Sequence, residues 1–265
     1  MLALPRLGFV NALSLTQAPR VGLDAAAAAL ALGACSPALA APKPIVLGAG
    51  ADEVWILRPT VAVRDIVVFG HGWSTPMPSD AFAPWIRHLQ GRGSIVVYPR
   101  YRVGAADSTS GALLAFRAGV VAALHALGRM RVPILALGKS FGASAVFYYA
   151  AAARSWGVAG PAAVVSIFPA LPVGALPAGR IPNDVYVRLF VRDRDTTAGS
   201  GGANAFWSWL SGHPARLKSY VVIHSRPGFV ADHDSAQRAD PTARAVFWGP
   251  VDTLLTRLIR HAGRY

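Results

Sequence analysis

After residue 44, short apolar runs rich in β-branched residues alternate with stretches whose apolar positions recur at helical spacing. The runs predict strands at Val54–Leu57, Asp65–Gly70, Ser94–Pro99, Val132–Gly138, Ala163–Phe168, Asp184–Val191 and Ser219–His224. Helices are expected between them at Ala81–Gly91, Ser110–Leu127, Phe141–Ser155, Ala203–Gly212 and Thr242–His261. The last is amphipathic and expected to dock on the sheet edge. Unbroken runs such as Ile66-Val67-Val68-Phe69 and Ile95-Val96-Val97-Tyr98 suit strands covered on both faces. The expected class is therefore α/β, with a mostly parallel central sheet and helices on each side. No internal repeat and no second boundary interrupts the pattern after residue 44.

The N-terminal pattern is different. From Ala25 to Pro42 the chain carries no charge and is dominated by alanine, ending in Ala38-Leu39-Ala40, the small-residue pattern at which a signal peptidase cuts. Residues 1–40 therefore read as an export signal and 41–265 as the folded domain, placing the protein in the periplasm or outside the cell. Leu32-Gly33-Ala34-Cys35 also has the form of a lipoprotein signal, in which Cys35 would be acylated and anchor the chain. The two forms of processing exclude each other, and both remain open at this point.

Composition narrows the classes further. A chain of 265 residues that is 53% hydrophobic and only 15% charged is built to bury a core, which excludes disorder. The formal charge of +13 is carried by bases scattered along the chain, with no basic block and no nucleic-acid motif, so a nucleic-acid partner is not expected. On an exported protein the same charge favours loose association with an anionic cell envelope. Cys35 is the only cysteine, so neither an intrachain disulfide nor a cysteine metal cluster is expected.

The chemistry concentrates where strands end. Gly138-Lys139-Ser140-Phe141-Gly142 is a G-x-S-x-G between a predicted strand and a predicted helix. A turn that sharp strains the serine backbone and pushes its hydroxyl into the open, while the flanking glycines let strand and helix pass closely. The N–H of Phe141, at the start of a helix, can then hold a developing oxyanion. A second donor is expected from Gly70-His71-Gly72-Trp73 at the end of an earlier strand, through the Trp73 N–H. His71 is expected to buttress this loop rather than move protons.

A serine nucleophile needs a base, and the base needs an acid. Among seven histidines, His233 lies in a loop between the last strand and the last helix, from which it can reach the sheet's edge; His224 is its competitor. The acid is expected after the strand Asp184–Val191, at Asp195, with Asp193 as the alternative. The order Ser140, Asp195, His233 is nucleophile, acid, base.

These residues, together with Pro84-Trp85-Ile86-Arg87-His88-Leu89 and Val96-Val97-Tyr98-Pro99-Arg100-Tyr101, resemble the α/β-hydrolase superfamily over residues 45–265. The closest likeness is to cap-less bacterial members of the dienelactone hydrolase, chlorophyllase and PAF-acetylhydrolase-like group. The resemblance implies Ser140 as nucleophile, His233 as base, Asp195 as acid, and Phe141 and Trp73 as oxyanion donors, with no metal or organic cofactor. It departs from the group at Arg192, where many members have glycine, and at Lys139, where histidine or tyrosine is commoner. Lys139 puts a positive charge beside the elbow, which would favour an anionic substrate.

Residues 170–183 are too short a connection for a helical lid. The site is expected to be open, with Trp73, Trp85 and Phe141 near its rim, and suited to a small-molecule ester with a modest apolar acyl part. The function implied is an exported serine hydrolase cleaving carboxylic esters. Two other readings use the same fold: an envelope-associated binding protein with an idle serine, and an acyltransferase.

Overall fold

The computed structural model describes residues 42–104, 107–174, 179–193 and 199–263. Residues 1–40, expected to be an export signal and including Cys35, lie outside the described residues, as does Asp195. In chain order the elements are β1 (Ile45–Leu47), β2 (Val54–Leu57), β3 (Asp65–Gly70), α1 (Ala83–Gly91), β4 (Ser94–Pro99), α2 (Thr109–Leu127), β5 (Ile134–Lys139), α3 (Phe141–Ala152), β6 (Ala163–Ile167), β7 (Tyr186–Arg192), α4 (Gly201–Trp209), β8 (Lys218–Ile223), α5 (Pro241–Ala243) and α6 (Gly249–Ala262).

The strands form one eight-stranded sheet in the order β1-β2-β4-β3-β5-β6-β7-β8. The β1/β2 and β2/β4 pairs are antiparallel, and every pair from β4/β3 to β7/β8 is parallel. The sequence pattern missed only β1, a three-residue strand with two exposed positions, too short to show a period.

Alternation along the central strands sorts the core into two layers. Ile66, Val68, Ile95, Val97, Ile134 and Ala136 face one layer with α2, α3 and α4. Val67, Phe69, Val96, Tyr98, Leu135 and Leu137 face the other, with α1 and the C-terminal helices. Period-2 side chains on a strand buried on both faces give this result. Helix α2 is long and apolar enough to cross a membrane by length and composition. The fold instead buries its Ala112, Phe116, Val120 and Ala123 in the first layer.

Two expectations are corrected here. The C-terminal helix does not sit at the sheet edge; its Val251, Leu254 and Leu255 join the second layer, and Asp252 binds His88 of α1 and Arg92 just after it. The long predicted helix is also split, with a five-residue π-helical stretch at Arg244–Trp248 between α5 and α6.

Candidate active site

The site forms at the C-terminal end of the parallel strands, where β5 turns into α3. Ser140 occupies that turn at φ 58, ψ −120, a region unfavourable for any residue with a side chain. Its backbone is held on both sides: Ser140 N–H donates to Ile167 O at 2.9 Å, and Ala170 N–H donates to Ser140 O at 3.1 Å.

Three glycines make the turn sterically feasible. A Cβ on Gly142 would meet the carbonyl of Gly70 at 2.2 Å, and one on Gly138 would meet the carbonyl oxygen of Gly142 at 2.3 Å. A Cβ on Gly70 would come within 2.8 Å of the same oxygen. The starts of α3 and of the loop after β3 thus approach backbone to backbone, and Gly142 N–H donates to His71 O at 3.0 Å.

That approach brings the Trp73 loop beside the N-terminus of α3. The rings of Trp73 and Phe141 meet at 5.0 Å, and neither residue's N–H has a hydrogen-bond partner among the described residues. Unpaired N–H groups at a helix start and in an adjoining loop are suited to hold an anionic oxygen.

The loop itself is over-determined. His71 is fully buried, its ring parallel to Tyr101 at 3.8 Å, with Nδ1 2.6 Å from Gly72 O and Nε2 2.7 Å from Arg100 O. Burial outweighs the pull of both carbonyls and lowers its pKa to about 4. The neutral ring donates from one nitrogen at a time, consistent with a buttress and not with proton traffic. Tyr101 donates its hydroxyl to His71 O, and burial pushes that hydroxyl's pKa well up, so it stays a donor. Tyr98 donates to Thr75 O at 2.7 Å, and Arg102 donates to Trp73 O while covering the Trp73 ring at 4.4 Å. Lys139 passes beside Gly72; a Cβ there would stand 3.2 Å from the lysine chain.

His233 arrives from the segment between β8 and α5. Its Nε2 lies 2.9 Å from Ser140 Oγ, across 93 residues of sequence. The segment is tied down by buried Phe229 and Ala231, by the Asp232–Arg238 ion pair, and by Ser235 Oγ donating to Asp232 O at 2.8 Å. The competitor His224 stays at the surface, 73% exposed, with Nδ1 3.5 Å from Asp193. His88 is bound to Asp252 and buried His213 faces Val185 O, so neither is available to the serine.

Asp193 is engaged with Ser225. Its carboxylate accepts from Ser225 N–H at 2.9 Å and Ser225 Oγ at 3.0 Å, and Ser225 Oγ in turn accepts from Ala231 N–H at 3.1 Å. Asp193 thereby anchors the histidine segment two residues before His233.

Three features escaped sequence reasoning. Lys139 is 3% exposed and its Nζ reaches Asp234 Oδ1 at 3.1 Å, so its charge is spent on the histidine segment and not displayed to an anionic substrate. Trp85 is 2% exposed, stacked on Trp248 at 5.7 Å in the second core layer, and is not at the rim. Arg192 is buried, over the Phe168 ring at 4.7 Å, with Nη2 2.7 Å from His233 Nδ1. Its only signal in the sequence was standing where a glycine was expected.

Trp73, Ser74, Pro76, Arg102, Val103 and Gly104 line a hollow of about 250 Å³ beside the Trp73 loop. Among the described residues of 168–185 there is no helix that could cover it.

No protein-family model matches this sequence, and no curated protein is similar to it in sequence. Solved structures are similar in shape. Esterase 2 of Thermogutta terrifontis phosphoramylated by tabun superposes with a TM-score of 0.62 at 16% identity, covering 83% of this chain and 96% of that one. Its butyrate-bound form gives 0.59 at 16% identity over 82% and 94%. Esterase B of Lactobacillus rhamnosis, inhibited by a C4-C4 tributyrin phosphonate, gives 0.59 at 14% identity over 80% and 82%. The chain has the α/β-hydrolase fold. Within that fold the serine turn and the incoming histidine occupy the C-terminal edge of the parallel strands, where ligands of open α/β sheets bind.

Proposed function

We propose that this chain is a serine hydrolase that cleaves carboxylic esters with short acyl groups, with Ser140 as nucleophile, His233 as base and Asp195 as acid. The observation that carries the reading is the 2.9 Å approach of His233 Nε2 to Ser140 Oγ, with the serine strained at φ 58. His233 takes the serine proton as the hydroxyl attacks the ester carbonyl. The N–H groups of Phe141 and Trp73 receive the negative charge of the tetrahedral intermediate, His233 returns the proton to the leaving alcohol, and water releases the acyl-serine. During attack the ring carries its other proton on Nδ1, toward the acid.

Short acyl groups are suggested by the butyrate and tributyrin-derived ligands of the similar esterases. Membership of the dienelactone hydrolase-like group, export through residues 1–40, and envelope association belong to the same proposal. They rest on the motifs and charge of the sequence.

The deciding experiment uses p-nitrophenyl acetate, butyrate and decanoate with wild type and Ser140→Ala. Expected are turnover falling with chain length in the wild type and a loss on the order of 10⁴ to 10⁶-fold in the variant, with the circular dichroism spectrum unchanged. Equal activity in the two proteins would overturn the assignment. Absence of fluorophosphonate labelling in the wild type would favour the idle-serine binding protein instead.

A further inference from the structure

We propose that a hollow at the N-terminal edge of the sheet, opposite the serine, binds a medium-chain alkyl carboxylate. Strand β5 runs about 20 Å from this edge to the turn at Ser140, so the two places are separate and the inference stands apart from the hydrolase reading. The hollow has a volume of about 570 Å³, within the range of small-molecule sites. Its floor is apolar. Met130 and Val132 pack against the first core layer and Tyr186 and Leu258 against the second, with Pro133 and Leu217 beside them. All six are half-buried, so apolar surface is displayed here, where the two layers end.

The polar groups at the hollow select the head group. Arg257 Nη1 donates to the Tyr186 hydroxyl at 2.6 Å, and its guanidinium lies 4.8 Å from the centre of the Tyr186 ring. The arginine is thus held in place with N–H groups left over, and the hydroxyl that accepts from it keeps its own proton to donate. A planar carboxylate matches these donors. Asp184 is the single acid lining the hollow, against Arg131, Arg257 and His261, a balance that favours an anion over a cation. From Tyr186 at the start of β7, across β6, to Val132 ahead of β5 is two strand spacings, about 10 Å, a length that a medium alkyl chain covers. Met130 also lines a neighbouring hollow of about 610 Å³ with Leu124, Ile134 and Val158, so the end of the chain meets further apolar surface.

The test titrates sodium decanoate, below its micelle concentration, into wild type, Arg257→Gln, Leu258→Asp and the control Arg87→Gln, with isothermal titration calorimetry as the readout. Arg87 is exposed on α1 and lines no part of this hollow. Wild type and control are expected to bind alike, Arg257→Gln at least about 10-fold more weakly, and Leu258→Asp not at all. Decanol, which lacks the charge, should bind wild type about 10-fold more weakly than decanoate, and decyltrimethylammonium should not bind. The His261 Cε1–H resonance of wild type should shift as decanoate is added. Arg257→Gln alters an exposed side chain and carries the test should Leu258→Asp fail to fold. Absence of decanoate binding to wild type, equal affinity in wild type and Arg257→Gln, or an ammonium that binds as tightly as the carboxylate would each overturn the proposal.

Discussion

Lys139, immediately before the strained serine, and Asp234, immediately after the histidine, form an ion pair at 3.1 Å. The pair couples two segments whose relative position decides whether Nε2 reaches Oγ. Lys139 is buried, whereas the Asp234 side chain is 69% exposed, so the pair is screened and contributes little to global stability. Its role is alignment. Lys139→Met is expected to lower kcat by about 10-fold, since small misplacements of a reacting group are costly. Asp234→Asn is expected to cost less, with the melting temperature nearly unchanged. Steady-state kinetics beside thermal melts check both, and a large drop in melting temperature with unaltered kcat would contradict the alignment role.

Gly142 tests the backbone approach that brings the Trp73 loop beside the start of α3. The added methyl of Gly142→Ala would meet fixed backbone at 2.2 Å, which no side-chain rotation relieves. A destabilisation of about 3 kcal/mol or more is expected, together with a loss of activity of about 100-fold. Gly91→Ala, at a position with open space around the new methyl, serves as the control and should be neutral or slightly stabilising. Urea unfolding of the two variants distinguishes them.

His71 makes stability depend on acid. Its pKa falls from 6.5 in the unfolded chain to about 4 in the fold, mainly through burial. Between those values the unfolded chain binds more protons, so stability is complete above pH 6.5 and declines as pH falls toward 4. The loss amounts to about 3 kcal/mol. His71→Gln, which cannot charge, should show a shallower decline over the same window even though it is less stable at pH 7. Denaturant midpoints at pH 7 and 4.5 measure the difference; parallel declines in the two proteins would reject the linkage.

The two aspartates after β7 have separable roles. Asp193 pins Ser225, which holds Ala231, so Asp193→Asn should loosen the histidine segment and lower kcat less than about 10-fold. Asp195→Asn should leave the histidine without its acid and lower kcat by about 10⁴-fold. The reverse pattern in the kinetics would assign the acid to Asp193.

Much of this was legible along the chain. Continuous Val and Ile runs marked the buried strands because a strand covered on both faces has no polar position to break the run. The Gly138–Gly142 motif announced a strained turn because only glycines allow two backbones to pass at that distance. Gly70-His71-Gly72-Trp73 could be placed at the end of a parallel strand, on the same edge of the sheet as that turn.

What remained illegible depends on partners distant in sequence. Lys139 read as a displayed charge, because nothing local shows that Asp234, 95 residues away, takes it up. Trp85 read as a rim residue, because its partner Trp248 belongs to a helix whose docking face is set only when the sheet closes. Arg192 read as a departure from a motif, and only the folded chain brings it to His233 Nδ1. Local sequence determines backbone geometry and the burial of the strands, since these follow from periodicity and the absence of side chains; electrostatic pairing and the docking of helix faces fall to tertiary structure, because both depend on distance in space and carry no period along the chain.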